Sequence, residues 1–140
     1  MSTVLTLRVP DEAAERIKKI ARKERRSQSE VGARAIEEWV RTEEFPYIEF
    51  RSFGTERQAC LKGRLQVWQV IQVAREYALD AQKTAEHLSL RPEQVRSALN
   101  YHESFREEID ELIQQNNEGF NRLQRLFPGV EVYQIGTEIA

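Results

Sequence analysis

Residues 3–9 read Thr-Val-Leu-Thr-Leu-Arg-Val, and this stretch decides what kind of fold the chain can form. The apolar residues at every second position are Leu5, Leu7 and Val9. The residues between them are Val4, Thr6 and Arg8. A period of two is typical of a β-strand that buries one face and exposes the other. Pro10 ends the predicted strand, because proline has no N–H for a ladder.

Two helices are predicted to follow the strand. The first runs from Asp11 to about Arg26, with apolar residues at helical spacing and acidic residues in its first turn. Ser27 and Glu30 then form a capping box, which marks the start of a second helix. This second helix is expected to end near Thr42.

One strand and two helices cannot close a hydrophobic core by themselves. A lone strand leaves both edges unpaired, and domains of about 40 residues without disulfides usually need oligomerisation. Pairing the strand with its twofold copy satisfies one edge and brings four helices together. The predicted dimer core consists of Leu5, Leu7, Val9, Ile17, Ile20, Val31, Ile36 and Trp39. We therefore expect an intertwined homodimer or a higher even oligomer; the alternative is that residues 3–9 form an edge strand of another sheet.

The charge of the chain is unevenly distributed. The whole chain of 140 residues has a net charge of −2. Residues 1–26 hold eight basic and four acidic residues, for +4, and the remainder holds 13 basic and 19 acidic residues, for −6. A basic N-terminal region favours contact with phosphates through counterion release, although a solvated helix face would show the same excess of basic residues.

The order of these signals resembles the ribbon-helix-helix regulators, the family of the Arc, MetJ and CopG repressors. The matching text is Val-Leu-Thr-Leu-Arg-Val-Pro-Asp-Glu from Val4 and Arg-Ser-Gln-Ser-Glu-Val from Arg26. The resemblance covers residues 2–43, about a third of the chain. One departure is the pair Arg25-Arg26, which stands where the turn between the helices often has glycine.

This resemblance implies that the paired strands enter the major groove of double-stranded operator DNA, where base edges can be distinguished. The outward residues expected to contact bases are Val4, Thr6 and Arg8. The start of the second helix offers backbone N–H groups and a positive dipole end, which suit a phosphate. The residues expected to contact phosphates are Lys23, Arg25, Arg26, Ser27, Gln28 and Ser29.

The second part of the chain is predicted to be mainly helical. The expected elements are a short hairpin around Gly54, a helix from about Leu65 to Ala78, a short helix capped by Asp80, and a long helix from Pro92 to about Asn117. The residues Ala59-Cys-Leu-Lys-Gly, Val67-Trp, Pro92-Glu-Gln-Val-Arg-Ser-Ala-Leu-Asn-Tyr and Glu107-Glu-Ile-Asp-Glu-Leu-Ile resemble a small helix-turn-helix-like domain of unknown function, which is common in bacteria and often accompanies VapB-type antitoxins. The resemblance spans residues 45–117 and implies a trihelical domain with a hairpin.

The acidic character of the long helix bears on what this second part binds. Arg91 and Arg96 are the only basic residues near Pro92, so a protein-contact or dimer-support role is favoured over strong DNA binding. The apolar residues expected to bind a partner in the tail are Phe120, Leu123, Leu126, Phe127 and Tyr133. In an antitoxin that partner would be a protein toxin; alternatively the tail packs on its own second domain or swaps across the dimer.

No catalytic, cofactor or metal site can be assembled from the sequence, so the protein is not expected to be an enzyme. Cys60 is predicted to be a small buried hydrophobe and His102 a hydrogen-bonded core residue. A solvated helix face is predicted for the acids Glu107, Glu108, Asp110 and Glu111. The chain lacks a signal-peptide pattern and a membrane-length apolar run, which predicts a cytoplasmic protein without membrane contact.

Together these observations predict a mainly α fold with an N-terminal β-strand. The expected domains are a ribbon-helix-helix dimerisation domain at 1–43, a trihelical domain with a short hairpin and a long C-terminal helix at 46–118, and a partner-binding tail at 119–140. The expected function is that of a DNA-binding antitoxin of a type II toxin–antitoxin system. Such a protein represses its own operon and neutralises a toxin such as a VapC-like ribonuclease. The alternative is a free-standing repressor with a C-terminal oligomerisation domain.

Overall fold

A computed structural model of the chain describes residues 1–63 and 65–131. These residues form six helices and one two-stranded antiparallel sheet. The chain divides into two compact units, Met1–Val40 and Arg41–Ala140, and the boundary falls inside the second helix.

The first unit contains the predicted pair of helices, α1 at Asp11–Glu24 and α2 at Gln28–Glu44. The hydroxyl oxygen of Ser27 accepts a hydrogen bond from the Glu30 amide at 3.0 Å, so the predicted cap of α2 is confirmed. Residues 1–10 form neither a helix nor a strand within the single chain. The strand predicted for residues 3–9 needs a second copy for its ladder and stays a prediction.

The second unit begins with the last residues of α2 and continues into a hairpin. Its strands are β1 at Ile48–Phe53 and β2 at Glu56–Leu61. They pair antiparallel from Ile48 opposite Leu61 to Phe53 opposite Glu56, and Gly54 takes a φ of 64° in the turn. The predicted hairpin is therefore confirmed. A positive φ at this position suits glycine, which has no Cβ to clash with the backbone.

Four helices follow the hairpin: α3 at Val67–Glu76, α4 at Ala81–Leu88, α5 at Pro92–Ser104 and α6 at Arg106–Leu126. The Asp80 carboxylate accepts a hydrogen bond from the Lys83 amide at 2.8 Å and caps α4 as predicted. The core between these elements is apolar and fully buried. Its largest aliphatic members are Ile48, Leu61, Ile71, Leu88 and Ile109.

The long helix predicted from Pro92 to Asn117 is wrong, because the chain leaves helical geometry at Phe105. This residue has φ −131° and ψ 48°, so the predicted trihelical unit contains four helices. The ring of Phe105 packs 4.7 Å from Tyr101 and 5.9 Å from Phe45, centroid to centroid. We attribute the break to this packing, since tertiary contacts override helix propensity. The C-terminal helix also continues past Asn117, the predicted end, and runs through Gly119 to Leu126.

A hydrogen-bonded network lies beside Phe105 in the second unit. Arg41 donates to the Tyr101 hydroxyl at 2.7 Å and to Glu108 at 2.9 Å, and its guanidinium lies 3.7 Å from the centre of the Phe105 ring. Tyr101 donates to the other oxygen of Glu108 at 2.7 Å. Burial, followed by the hydrogen bond to Glu108, raises the pKa of Tyr101 far above its usual range. The phenol therefore stays protonated and keeps donating.

Candidate nucleic-acid interface

The N-terminal segment carries the residues predicted to read bases. In the single chain Val4, Thr6 and Arg8 are all exposed, so each is available to a ligand. The residues predicted to face inward are exposed as well, and Leu7 keeps 55% of its surface in contact with water. None of the large apolar side chains of this segment is therefore buried in a core of the single chain.

An apolar groove of about 710 Å³ lies along the first unit and brings the segment together with both helices. Six of the eight predicted dimer-core residues line it: Leu5, Leu7, Val9, Ile17, Ile36 and Trp39. Val4, predicted to face outward, lines it too. Ile20 is exposed outside the groove lining, whereas Val31 is only 3% exposed and is buried within the chain itself.

The α2 side of this groove is open to solvent. Trp39 keeps 63% of its surface exposed, and a Cβ added at Gly32 would meet no atom within 4 Å. A large aromatic side chain loses about 1.5–3 kcal/mol of burial free energy when it stays in water. The groove is thus an unfilled apolar surface that another set of side chains could cover.

The turn between α1 and α2 gathers the residues predicted to contact phosphates. All six are exposed: Lys23, Arg25, Arg26, Ser27, Gln28 and Ser29. Arg25 takes the left-handed conformation, with φ 57° and ψ 45°, where such turns usually carry glycine. The amide of Arg26 then donates to the carbonyl oxygen of Ala21 at 2.9 Å, which closes the end of α1.

An ion pair that no sequence pattern predicts lies beside this turn. Arg34 of α2 makes a two-pronged contact with Glu24 of α1, at 2.8 and 3.2 Å. Arg26 lies 3.9 Å from Glu24 and 3.9 Å from Glu30, at the outer limit of an ion pair. Arg34 therefore makes the closer contacts with Glu24, and Arg26 lies between Glu24 and Glu30. A pair between two different helices leaves no spacing signal in the sequence.

Residues 3–43 match the family model of the ribbon-helix-helix protein, copG family. Proteins of this family bind DNA and dimerise, and the match suggests a DNA-binding transcriptional regulator. The matched residues include the N-terminal segment, the groove and the basic turn. Comparison of the chain with curated proteins gave no match, and neither did comparison with solved structures.

The predicted partner-binding residues of the tail lie at the end of α6 and beyond it. Leu123, Leu126 and Phe127 are exposed, and Phe120 is half-buried. Tyr133 lies outside the described residues. Where the chain is described, no helix combines the length and the apolarity that crossing a bilayer requires.

The remaining candidate groups of the second unit are structural. Cys60 is fully buried, as predicted, and burial raises the pKa of its thiol. His102 is hydrogen-bonded as predicted, through a 2.8 Å contact with Asp110, although it lies at the edge of the core. The acids of the predicted solvated face of α6 do reach water, since Glu107, Glu108 and Glu111 are exposed and Asp110 is half-buried. Two of them also pair with basic residues: Glu108 joins the network with Arg41, and Asp110 accepts from Arg75 at 2.5 Å. Within residues 1–63 and 65–131, no three side chains are grouped to hold a metal ion.

Proposed function

We propose that the protein is a DNA-binding transcriptional regulator that works as a homodimer. The observation that carries the proposal is the groove of the first unit, which collects Leu5, Leu7, Val9 and Trp39 on one open surface. A second copy would bury these side chains and would pair its own residues 3–9 with those of the first copy into a two-stranded ribbon. Burial of several large apolar side chains, at about 1.5–3 kcal/mol each, is enough to hold such a dimer.

In this dimer the ribbon would face the DNA major groove. Arg8 can donate two hydrogen bonds to a guanine edge, and Thr6 can donate or accept. The turn residues from Lys23 to Ser29 would sit on the phosphate backbone, where the α2 dipole and the charges of Arg25 and Arg26 favour an anion.

Two matched substitutions test this proposal, because they add the same charge at neighbouring positions. We expect Leu7→Asp to abolish both the dimer and DNA binding, since a carboxylate cannot be buried in the apolar groove. We expect Thr6→Asp to keep the dimer and to lose DNA binding. Sedimentation equilibrium measures the first property, and titration of a duplex pool at several salt concentrations measures the second. A Leu7→Asp protein that stays dimeric would contradict the proposal.

A second candidate function is neutralisation of a protein toxin, such as a VapC-like ribonuclease, by an antitoxin that also represses its own operon. The exposed apolar side chains Leu123, Leu126 and Phe127 favour it, because they offer a partner a hydrophobic anchor. The test is growth of cells that express the neighbouring gene with and without this protein. Rescue by the wild type and loss of rescue on Phe127→Ser would support it; a harmless neighbour would leave only the repressor function.

For the second unit we propose contact with protein in preference to DNA. Its helix pair α4 and α5 is joined by a short turn in which Ser89 is left-handed, a geometry compatible with a helix-turn-helix. Yet Arg96 at the start of α5 lies 4.0 Å from Glu93, and α6 is acidic in its first turn. Such a surface would repel phosphates more than it attracts them.

A further inference from the structure

The C-terminal helix carries an uninterrupted seam, which we call the α6 seam. Its members are separated alternately by four and three residues: Ile109, Ile113, Asn116, Phe120 and Leu123 within α6, and Phe127 at the C-cap. The first two are buried in the core of the second unit. From Asn116 onward the seam has left that core: Leu123 is 46% exposed and Phe127 54% exposed. The helix continues 13 residues past Ile113, a length of about 20 Å.

We propose that the free part of the α6 seam packs against the same seam of a second copy, as a short two-stranded coiled coil. The inference rests on the proposed homodimer of the first unit. A strict alternation of four and three residues is the spacing that keeps one face of a helix against another helix along its length.

The small apolar area of the free part of the α6 seam favours a second copy of the chain over a partner that is held by no other contact. Phe120, Leu123 and Phe127 together offer on the order of 300 Å² of apolar surface, taking about 150–250 Å² for a whole aromatic side chain. Two such faces fall well short of the roughly 1,200 Å² that a stable free-standing interface buries. A second copy that is already held by the first unit needs far less buried area at α6, because tethering supplies an effective concentration in the millimolar range.

The charges beside the seam agree with contact between identical helices. In a parallel pair of identical helices, residues on one flank of the seam lie close to those on the opposite flank of the partner helix, so like charges there would repel. The four flanking residues are uncharged: Asn117, Gly119, Gln124 and Leu126. The charged residues of this stretch lie away from the seam: Glu118, Arg122 and Arg125.

Asn116 gives the seam a single polar position. Its amide nitrogen donates to the carbonyl oxygen of Leu112 at 2.8 Å within its own helix. An asparagine in an otherwise apolar seam costs stability, and a parallel pair in which it meets its own copy is the register that leaves the fewest polar groups against apolar ones. The seam would therefore align two helices side by side at one fixed register.

Cysteine cross-linking of the full-length protein tests the inference. In the wild-type background, whose single Cys60 is buried, we compare Leu123→Cys in the seam with Asn121→Cys on the opposite side of the same turn. Under mild oxidation we expect Leu123→Cys to form the interchain disulfide at least about tenfold faster. We also expect Leu123→Lys, but not Asn121→Lys, to weaken the dimer by about 10- to 100-fold in sedimentation equilibrium.

The outcomes separate failure of this inference from failure of the proposed function. A dimeric wild type whose Leu123→Cys and Asn121→Cys proteins cross-link equally slowly would overturn the α6 contact and leave the first-unit dimer standing. A toxin that covers Leu123 in the purified complex and blocks cross-linking would overturn the α6 contact as well. A wild type that is monomeric at micromolar concentration would overturn the proposed function. Loss of the Leu123→Cys cross-link on adding Leu7→Asp would support the tethered seam.

Discussion

Replacement of Arg25 by glycine should raise the stability of the protein and lower its affinity for DNA. Arg25 ends α1 with φ 57° and ψ 45°, and its amide donates to the carbonyl oxygen of Arg22 at 3.4 Å. An L-residue with a Cβ is strained in this conformation by about 1–2 kcal/mol, whereas glycine is not. The same side chain adds one positive charge to the turn proposed to contact phosphates.

The expected changes in stability and in DNA affinity follow from the strain and from the charge of Arg25. Glycine removes about 1–2 kcal/mol of strain but costs about 0.5–1 kcal/mol through the larger freedom of the unfolded chain. We expect a net gain of about 0.5–1 kcal/mol per chain in the free energy of unfolding. If each Arg25 of the dimer neutralises one phosphate, loss of both should reduce the slope of log affinity against log salt by about 1.8.

Two controls separate strain from charge at this position. Arg25→Lys keeps the charge and the strain, so both properties should stay near wild type. Arg25→Ala keeps the strain and loses the charge, so only the salt slope should fall. Urea unfolding at one fixed protein concentration gives the stability, and duplex titration at several salt concentrations gives the slope. Destabilisation by Arg25→Gly would refute the left-handed turn, and an unchanged slope for Arg25→Ala would refute the phosphate contact.

Three further predictions concern the second unit. Gly119→Ala should stabilise α6 by about 0.5–1 kcal/mol, since an added Cβ meets no atom within 4 Å; a lower thermal midpoint by circular dichroism would contradict this. Tyr101→Phe should cost about 1–2 kcal/mol in urea unfolding, because the ring stays packed while the hydrogen bonds with Arg41 and Glu108 are lost. Burial raises the pKa of Asp110, but hydrogen bonds from His102 and Arg75 outweigh it and hold this pKa below its usual value of 3.8. The stabilisation that the ionised Asp110 gives the fold is therefore present above about pH 4 and lost as the pH falls through the lowered pKa. Asp110→Asn should flatten this acid dependence of the unfolding free energy.

Much of the local structure could be predicted because its signals lie a few residues apart. Ser27 and Glu30 mark the start of α2, Asp80 marks that of α4, and Gly54 marks the hairpin turn; each acts through a hydrogen bond or a backbone angle within its own segment. Six of the eight predicted dimer-core residues line one groove, and three of these six come from residues 3–9; Val4, which the alternation places on the outward face, lines the groove as well.

The rest of the fold and of the candidate site depends on residues far apart in the chain. The break at Phe105 arises from packing on Phe45, and the network joins Arg41 to Glu108, 67 residues away in the sequence. Arg34 and Glu24 pair across two helices, and α6 continues through Gly119 although glycine is a poor helix former. The sequence alone determined where helices start, where the hairpin turns and where charge collects, because short-range hydrogen bonds and backbone angles decide these. Only the tertiary structure decided where the last helix breaks and which charges are neutralised, because those depend on side chains that meet after the chain has folded.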